Sequence, residues 1–296
     1  MRIAPWMAGL LGALITGAPP ARVSAAAADA GLGGSTAPRI VSPRIVSLSP
    51  HITELMFAAG AGDRLVGVDD ASDFPAAALR LPHVGDMAAL DVERLLGLHP
   101  DLVVLWESGT SARQREQLAR LQLKVVVTEQ RRLEDIAATL AEFGRLAGTL
   151  PAATAAARDF RLELQQLRAR YAGRRRLRVF YQVWDRPLYT VGHAQVLTEM
   201  LSLCGGNNVF GDLAGLAPVV DREAVFDRNP DVIIIGAAGS DGERQVQDWL
   251  QYASLEAVRR RRIYAVDPSI TSRMAPRILQ GVQALCEVLD RARDLR

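Results

Sequence analysis

Residues 91–105 read DVERLLGLHPDLVVL, and residues 221–235 read DREAVFDRNPDVIII. Asp, Glu, Pro, Asp and a closing four-residue apolar run recur at the same spacing, 130 positions apart. Each copy opens on an acidic residue suited to cap a helix, runs through one short helix, turns at Pro, and ends in four apolar residues. A run that is apolar on both faces suits a strand buried inside a parallel sheet. The repeat therefore predicts two structurally similar lobes.

The rest of the chain follows from these two units. Ile45 to Leu48, Leu65 to Val68, Leu102 to Leu105 and Val125 to Val127 are short apolar runs. Helical patterns at Thr53 to Ala59, Asp91 to Leu98 and Ala112 to Leu121 lie between them, the βαβα signature of an α/β lobe. A second series, Val179 to Gln182, Val232 to Ile235 and Ile263 to Val266, predicts another. Val196 to Cys204 reads as a helix stopped by Gly205 and Gly206, and Pro276 to Arg291 as a closing amphipathic helix. Between the series, residues 151–172 carry strong helix formers with no internal Gly or Pro. They predict a stiff strut about 33 Å long. The expected order is a lobe over 44–150, a connecting helix over 151–173 and a lobe over 174–296.

Composition narrows the function classes. Of 296 residues, 49% are hydrophobic and 23% charged, too apolar for a disordered chain. The net charge of +2 offers no general attraction for nucleic acid, and none is expected as a partner. Beyond the N-terminus no apolar run approaches the roughly 18 residues that span a bilayer. The N-terminus itself has Arg2, an apolar stretch from Trp6 to Gly17, Pro19 and Pro20, then small residues through Ala28. This is the layout of a cleaved secretory signal over residues 1–28, followed by a tether over 29–43. Export agrees with two cysteines. Cys204 and Cys286 either pair, which closes a long loop worth about 4 to 5 kcal/mol at most, or stay as buried thiols.

The chain resembles the periplasmic substrate-binding proteins of the helical-backbone class that serve ABC importers, and most of all their cobalamin-binding members. The resemblance spans about residues 44 to 290. It rests on RIVSLSPHITELMFAAGAGDRLVGV, DFP, the two DxE…PD units, CGGNNVF, the long helix and the C-terminal APRI. It implies an α/β fold of two Rossmann-like lobes with mainly parallel sheets, joined by one long rigid helix, with a ligand cleft between them. It further implies a periplasmic location, a permease and an ATPase as partners, a monomeric state, and docking of Glu93 and Glu223 to permease arginines. The matching members join cysteines at the positions of Cys204 and Cys286.

In that layout the loops leaving the strands face the cleft. A large, flat, mostly apolar ligand needs aromatic faces and a few hydrogen-bond donors. The candidates are Pro50, His51, Phe74, Met87 and Trp106 from the first lobe, and Trp184, Tyr189 and Arg273 from the second. Core filling is the alternative for either Trp; Trp106, which ends an apolar strand before ESGT, is the stronger candidate, whereas Trp249 reads as helix packing. His51 is expected to touch ligand, to ligate cobalt or iron, or to cap the helix near Thr53. Met274 is placed with Arg273 on the opposite wall. Asp69, Asp70 and Asp73 read as a solvated loop rather than a cation site. Ala71 and Met87 stand where some cobalamin binders place Tyr and Trp, so haem and ferric siderophore remain alternative ligands. The sequence contains no GxSxG, HExxH, P-loop or GxGxxG, and its four scattered His form no zinc set. A binder without catalytic residues, resident metal or cofactor is expected.

Overall fold

A strand forms at each of the predicted apolar runs, most of them buried on both faces, although Val127 in the run at 125–127 is 52% exposed. A computed structural model of the chain describes residues 42–86 and 89–294. The expected signal segment, nearly all of the tether and Met87 lie outside the described residues. The first lobe contains β1 (Ile45–Ser47), α1 (Pro50–Ala58), β2 (Leu65–Val68), α2 (Val92–Gly97), β3 (Leu102–Trp106), α3 (Ala112–Arg120), β4 (Val125–Thr128) and α4 (Leu133–Ala147). The long helix α5 (Leu150–Tyr171) follows. The second lobe begins with β5 (Leu177–Gln182), the hairpin strands β6 (Trp184–Asp185) and β7 (Leu188–Tyr189), α6 (Val196–Leu203), β8 (Gly206–Asn208) and α7 (Arg222–Arg228). It closes with β9 (Val232–Gly236), α8 (Gly239–Leu250), α9 (Glu256–Arg259), β10 (Ile263–Val266), α10 (Pro268–Thr271) and α11 (Ile278–Asp294). Among the described residues no helix is long and apolar enough to cross a membrane.

The two four-stranded sheets are parallel throughout, in the orders β2-β1-β3-β4 and β10-β9-β5-β8. Equating β1 with β5, β2 with β8, β3 with β9 and β4 with β10 turns one order into the other. The equivalence reaches single hydrogen bonds. Asp91 and Asp221 cap α2 and α7 by accepting from the N–H groups of Arg94 (2.9 Å) and Ala224 (2.7 Å). His99 and Asn229, each just before its Pro, both adopt left-handed φ values of 45° and 34°. The Asp101 and Asp231 carboxylates accept from the N–H groups of Arg44 and Arg178, each at 2.8 Å. The guanidinium groups of Arg44 and Arg178 in turn donate to the last carbonyls of the preceding helices, on Leu98 and His99 and on Arg228 and Asn229. The repeated Asp–Glu–Pro–Asp pattern is thus the set of residues that ends one helix and starts one strand.

Alternate residues of each strand serve two different cores. Leu102 and Val104 of β3, and Val232 and Ile234 of β9, point into one apolar cluster; Val103 and Leu105 point into a second, and Ile233 and Ile235 into a third. The first cluster is continuous through Ala153, Phe160, Leu164 and Leu167 of α5 to the inner faces of α4 and α11. The lobes therefore share an apolar spine rather than hanging on a flexible linker. Cys204 at the end of α6 is bonded to Cys286 within α11, so two helices that pack into the shared cluster are covalently tied.

Several expectations need correction. Helix α1 starts at Pro50, where φ suits the first turn and no N–H is lost, and not near Thr53. Gly205, at φ 74°, stops α6, but Gly206 already belongs to β8. Met274 is 8% exposed and packs in the central core, so it does not line a wall. Trp249 is buried in the second lobe, as helix packing requires.

Candidate functional site

In parallel α/β sheets ligands gather at the carboxyl ends of the strands. In the first lobe, β1 delivers Ser49, Pro50 and His51, β2 delivers Asp69 to Phe74, and β3 ends on Trp106. A buried chain of hydroxyls knits these segments together. Ser47 Oγ and Thr53 Oγ1 are 2.8 Å apart, Thr53 Oγ1 and Ser72 Oγ 2.7 Å, and Ser72 Oγ donates to the Asp69 carboxylate. Helix α1 supplies six successive buried residues, His51 through Met56, so its first turn is anchored on every side.

His51 is 5% exposed, with Nδ1 2.7 Å from Ser49 Oγ. It does not cap the helix; Ser49 occupies that position, and its hydroxyl engages the imidazole instead. Burial pulls the His51 pKa from 6.5 down to about 4; the Gln130 side chain opposes this, and the charge of Arg273 adds to it. The ring is neutral at pH 7. It meets Trp106 edge-on, with centroids 5.2 Å apart at 86°. His51 Nε2, Gln130 Oε1 and Trp106 Nε1 are all buried without a hydrogen-bond partner among the described residues. Trp106 itself is half-buried against the central core. Gly109 lets it lie there, because a Cβ at that position would come within 2.1 Å of the indole.

The Asp69–Asp73 loop is not simply solvated, as its sequence suggested. Asp69 is buried, which raises its pKa against the lowering effect of Ser72. Asp73 pairs with Arg273, which holds its carboxyl below the usual range. Among the described residues no cluster of three or more His, Cys, Asp or Glu is placed to hold a metal.

The second lobe contributes a wall of a different kind. Trp184 and Tyr189 sit opposite each other on the β6–β7 hairpin, and Trp184 is 61% exposed, its indole N–H donating to the Arg186 carbonyl at 3.2 Å. Arg244 braces the hairpin through Asp185 at 3.0 Å and also holds Asp241 and Asp248. Beside it, a recess of about 450 Å³ opens at the carboxyl ends of β9 and β10, lined by Ala237, Gly239, Ala265 and Asp267 among others.

Arg273 reaches the first lobe but is not a free donor. Its guanidinium is committed to Glu54 at 3.1 Å and to Asp73. Phe74, 40% exposed, lies under the guanidinium of Arg277 at 3.8 Å. The structure therefore brings His51 and Trp106 together, sets Phe74 and Arg273 at one lobe junction, and presents Trp184 with Tyr189 from a separate hairpin. Sequence reasoning missed Glu54, Arg277 and Gln130. Glu54 did leave a trace, as the one charge inside the otherwise apolar segment HITELMFAAG.

Glu93 and Glu223 occupy the first turns of α2 and α7, both exposed and in equivalent places of the repeat. No ion pair holds either one among the described residues. A second recess, of about 580 Å³, lies along the edge strand β8, and its Arg178 and Arg228 are already bonded.

Comparison with known proteins places these features in context. The family described as Periplasmic binding protein matches residues 45–270. A vitamin B12-binding protein of Yersinia pestis (strain Pestoides F) is 35% identical over 85% of this chain and 88% of its own length. The crystal structure of the periplasmic vitamin B12 binding protein BtuF of Vibrio cholerae superposes with a TM-score of 0.79 at 33% identity, covering 85% of this chain and 98% of the other. The periplasmic heme-binding protein RhuT from Roseiflexus sp. RS-1 superposes at 0.74 with 26% identity, covering 85% and 99%.

Proposed function

The chain belongs to the periplasmic binding protein family, and from that premise we propose that it captures cobalamin between its lobes and hands it to an ABC importer. It is a substrate-binding transport protein and not an enzyme. The corrinoid reading is supported by aromatic side chains that both lobes carry at the carboxyl ends of their strands or on the hairpin that follows. Trp106 and neutral His51 come from one lobe, Trp184 and Tyr189 from the other. A corrin ring offers two broad apolar faces with amides at its rim. Flat aromatic surfaces cover such faces at low entropic cost. A strongly anionic siderophore would call for unpaired cleft arginines, and Arg273 is already neutralised by two carboxylates. Similarity to vitamin B12-binding proteins over most of the chain supports the same reading. Delivery rests on Glu93 and Glu223, matched carboxylates that suit basic sockets on a permease.

A second reading, haem, is favoured by one observation: His51 Nε2 is neutral and unpartnered, the state in which imidazole ligates a metal. Its burial weighs against it, since His51 is only 5% exposed. Titration of the mature protein with cyanocobalamin, haemin and a ferric siderophore, followed by tryptophan quenching, separates the readings. Saturable quenching by cyanocobalamin alone, at about micromolar concentration or below, is the expected result. Haemin binding with a Soret shift that His51→Gln abolishes would replace cobalamin by haem.

A further inference from the structure

We propose that Glu54, Asp73, Arg273 and Arg277 form a latch between the lobes that sets the resting width of the cleft before any ligand arrives. This goes beyond the cargo and holds whatever the cargo is.

The four charges come in equal numbers from the two lobes and sum to zero. Glu54 lies on α1, and Asp73 on the loop after β2. Arg273 and Arg277 lie between α10 and α11, about 200 residues further on. The Glu54 side chain is 2% exposed and accepts three bonds. Arg277 grips it with both arms of its fork, Nε at 2.9 Å and Nη2 at 2.7 Å, and Arg273 Nη1 adds a third at 3.1 Å. Two-armed grips of this kind are the stronger and more directional charged bonds. Arg273 also bonds Asp73, and Arg277 lies over the Phe74 ring, so each arginine holds the first lobe at two points.

The four charges lie at the margin of the shared apolar cluster, flanked by Ile52, Leu55 and Met56 of α1 and by Met274, Ala275 and Ile278 of the second lobe, and they bridge the lobes directly. Separation of the lobes at this junction must break these bonds. Another polar crossing runs from Glu199 to the Leu133 N–H, part-buried, and to the more exposed Arg168; it has fewer charged bonds than the Glu54 junction and a more exposed carboxylate. Removing the Glu54 charge leaves two arginines facing one carboxylate in a confined space. The three charged bonds that Glu54 accepts across the junction are lost with it, and the lobes are held less tightly there.

The test measures the empty protein. Spin labels on Ala119→Cys of α3 and Gln247→Cys of α8, both exposed, report the inter-lobe distance by pulsed electron resonance. Glu54→Gln is expected to lengthen and broaden the distance distribution, Arg277→Gln to do the same, and the double variant to add nothing to either. Unchanged distances in a folded Glu54→Gln protein would overturn the latch. So would a lower melting temperature with unchanged distances, which would make the charges mere packing. Should Glu54→Gln not fold, Arg277→Gln decides by the same criteria. No ligand enters the measurement, so its outcome is independent of whether cobalamin is the cargo.

Discussion

His51 shows how one side chain can record its surroundings. A free imidazole is half-charged near 6.5, but here burial moves that point to about 4. The folded state thus binds fewer protons than the unfolded state between these values. Stability from this group is complete above about 6.5 and is lost as pH falls toward 4, with a full span of roughly 3 kcal/mol. His51→Gln removes the titration. Urea unfolding across pH 7 to 4.5 should then show a shallower loss in the variant, by roughly 2 to 3 kcal/mol. Parallel profiles would mean that His51 becomes protonated inside the fold. Asp69 shifts in the opposite sense and from a lower starting value, so the difference between parent and variant isolates the imidazole.

Helices α4 and α5 touch through missing side-chain volume. A Cβ on Gly144 would lie 2.2 Å from the Ala153 Cβ and 3.2 Å from the Leu150 Cα. Neither neighbour has a flexible end that can move aside. Gly144→Val should therefore part the two helices and cost about 2 kcal/mol or more, read as a lower melting temperature. Gly97, at the end of α2, faces open space, so Gly97→Ala should be neutral or slightly stabilising. Equal behaviour of the two variants would show that α5 is not held by close approach. The same contact explains how a helix of 22 residues with mostly polar flanks stays in place. Its small residues, Ala153 and Ala157, and its apolar stripe, Phe160, Leu164 and Leu167, face the shared core.

For the whole molecule the decisive feature is duplication. Glu93 and Glu223 stand on matching helices whose caps, turns and following strands coincide bond for bond. If they are docking charges, changing both to Ala should abolish uptake by cells carrying the importer and leave cyanocobalamin affinity within about twofold, because neither lies at the strand ends. A matching loss of affinity would put these carboxylates in the binding site instead. The repeat, the parallel lobes and the long helix were legible in the sequence. Each is written in local signals: periodicity, caps, Pro and the spacing of charges. The arrangement at the lobe junction was not. Glu54 and Arg277 are separated by 223 positions, and no local pattern marks two residues as partners across such a distance. Nor could local signals tell that Asp69 is buried, that Met274 fills core, or that Gly109 makes room for Trp106. By itself the sequence determined the elements and their order, because those follow from short-range hydrogen bonding and apolar patterning. Only the tertiary structure decided which charges meet and which are buried, because desolvation and pairing depend on what the packed chain brings within a few ångströms.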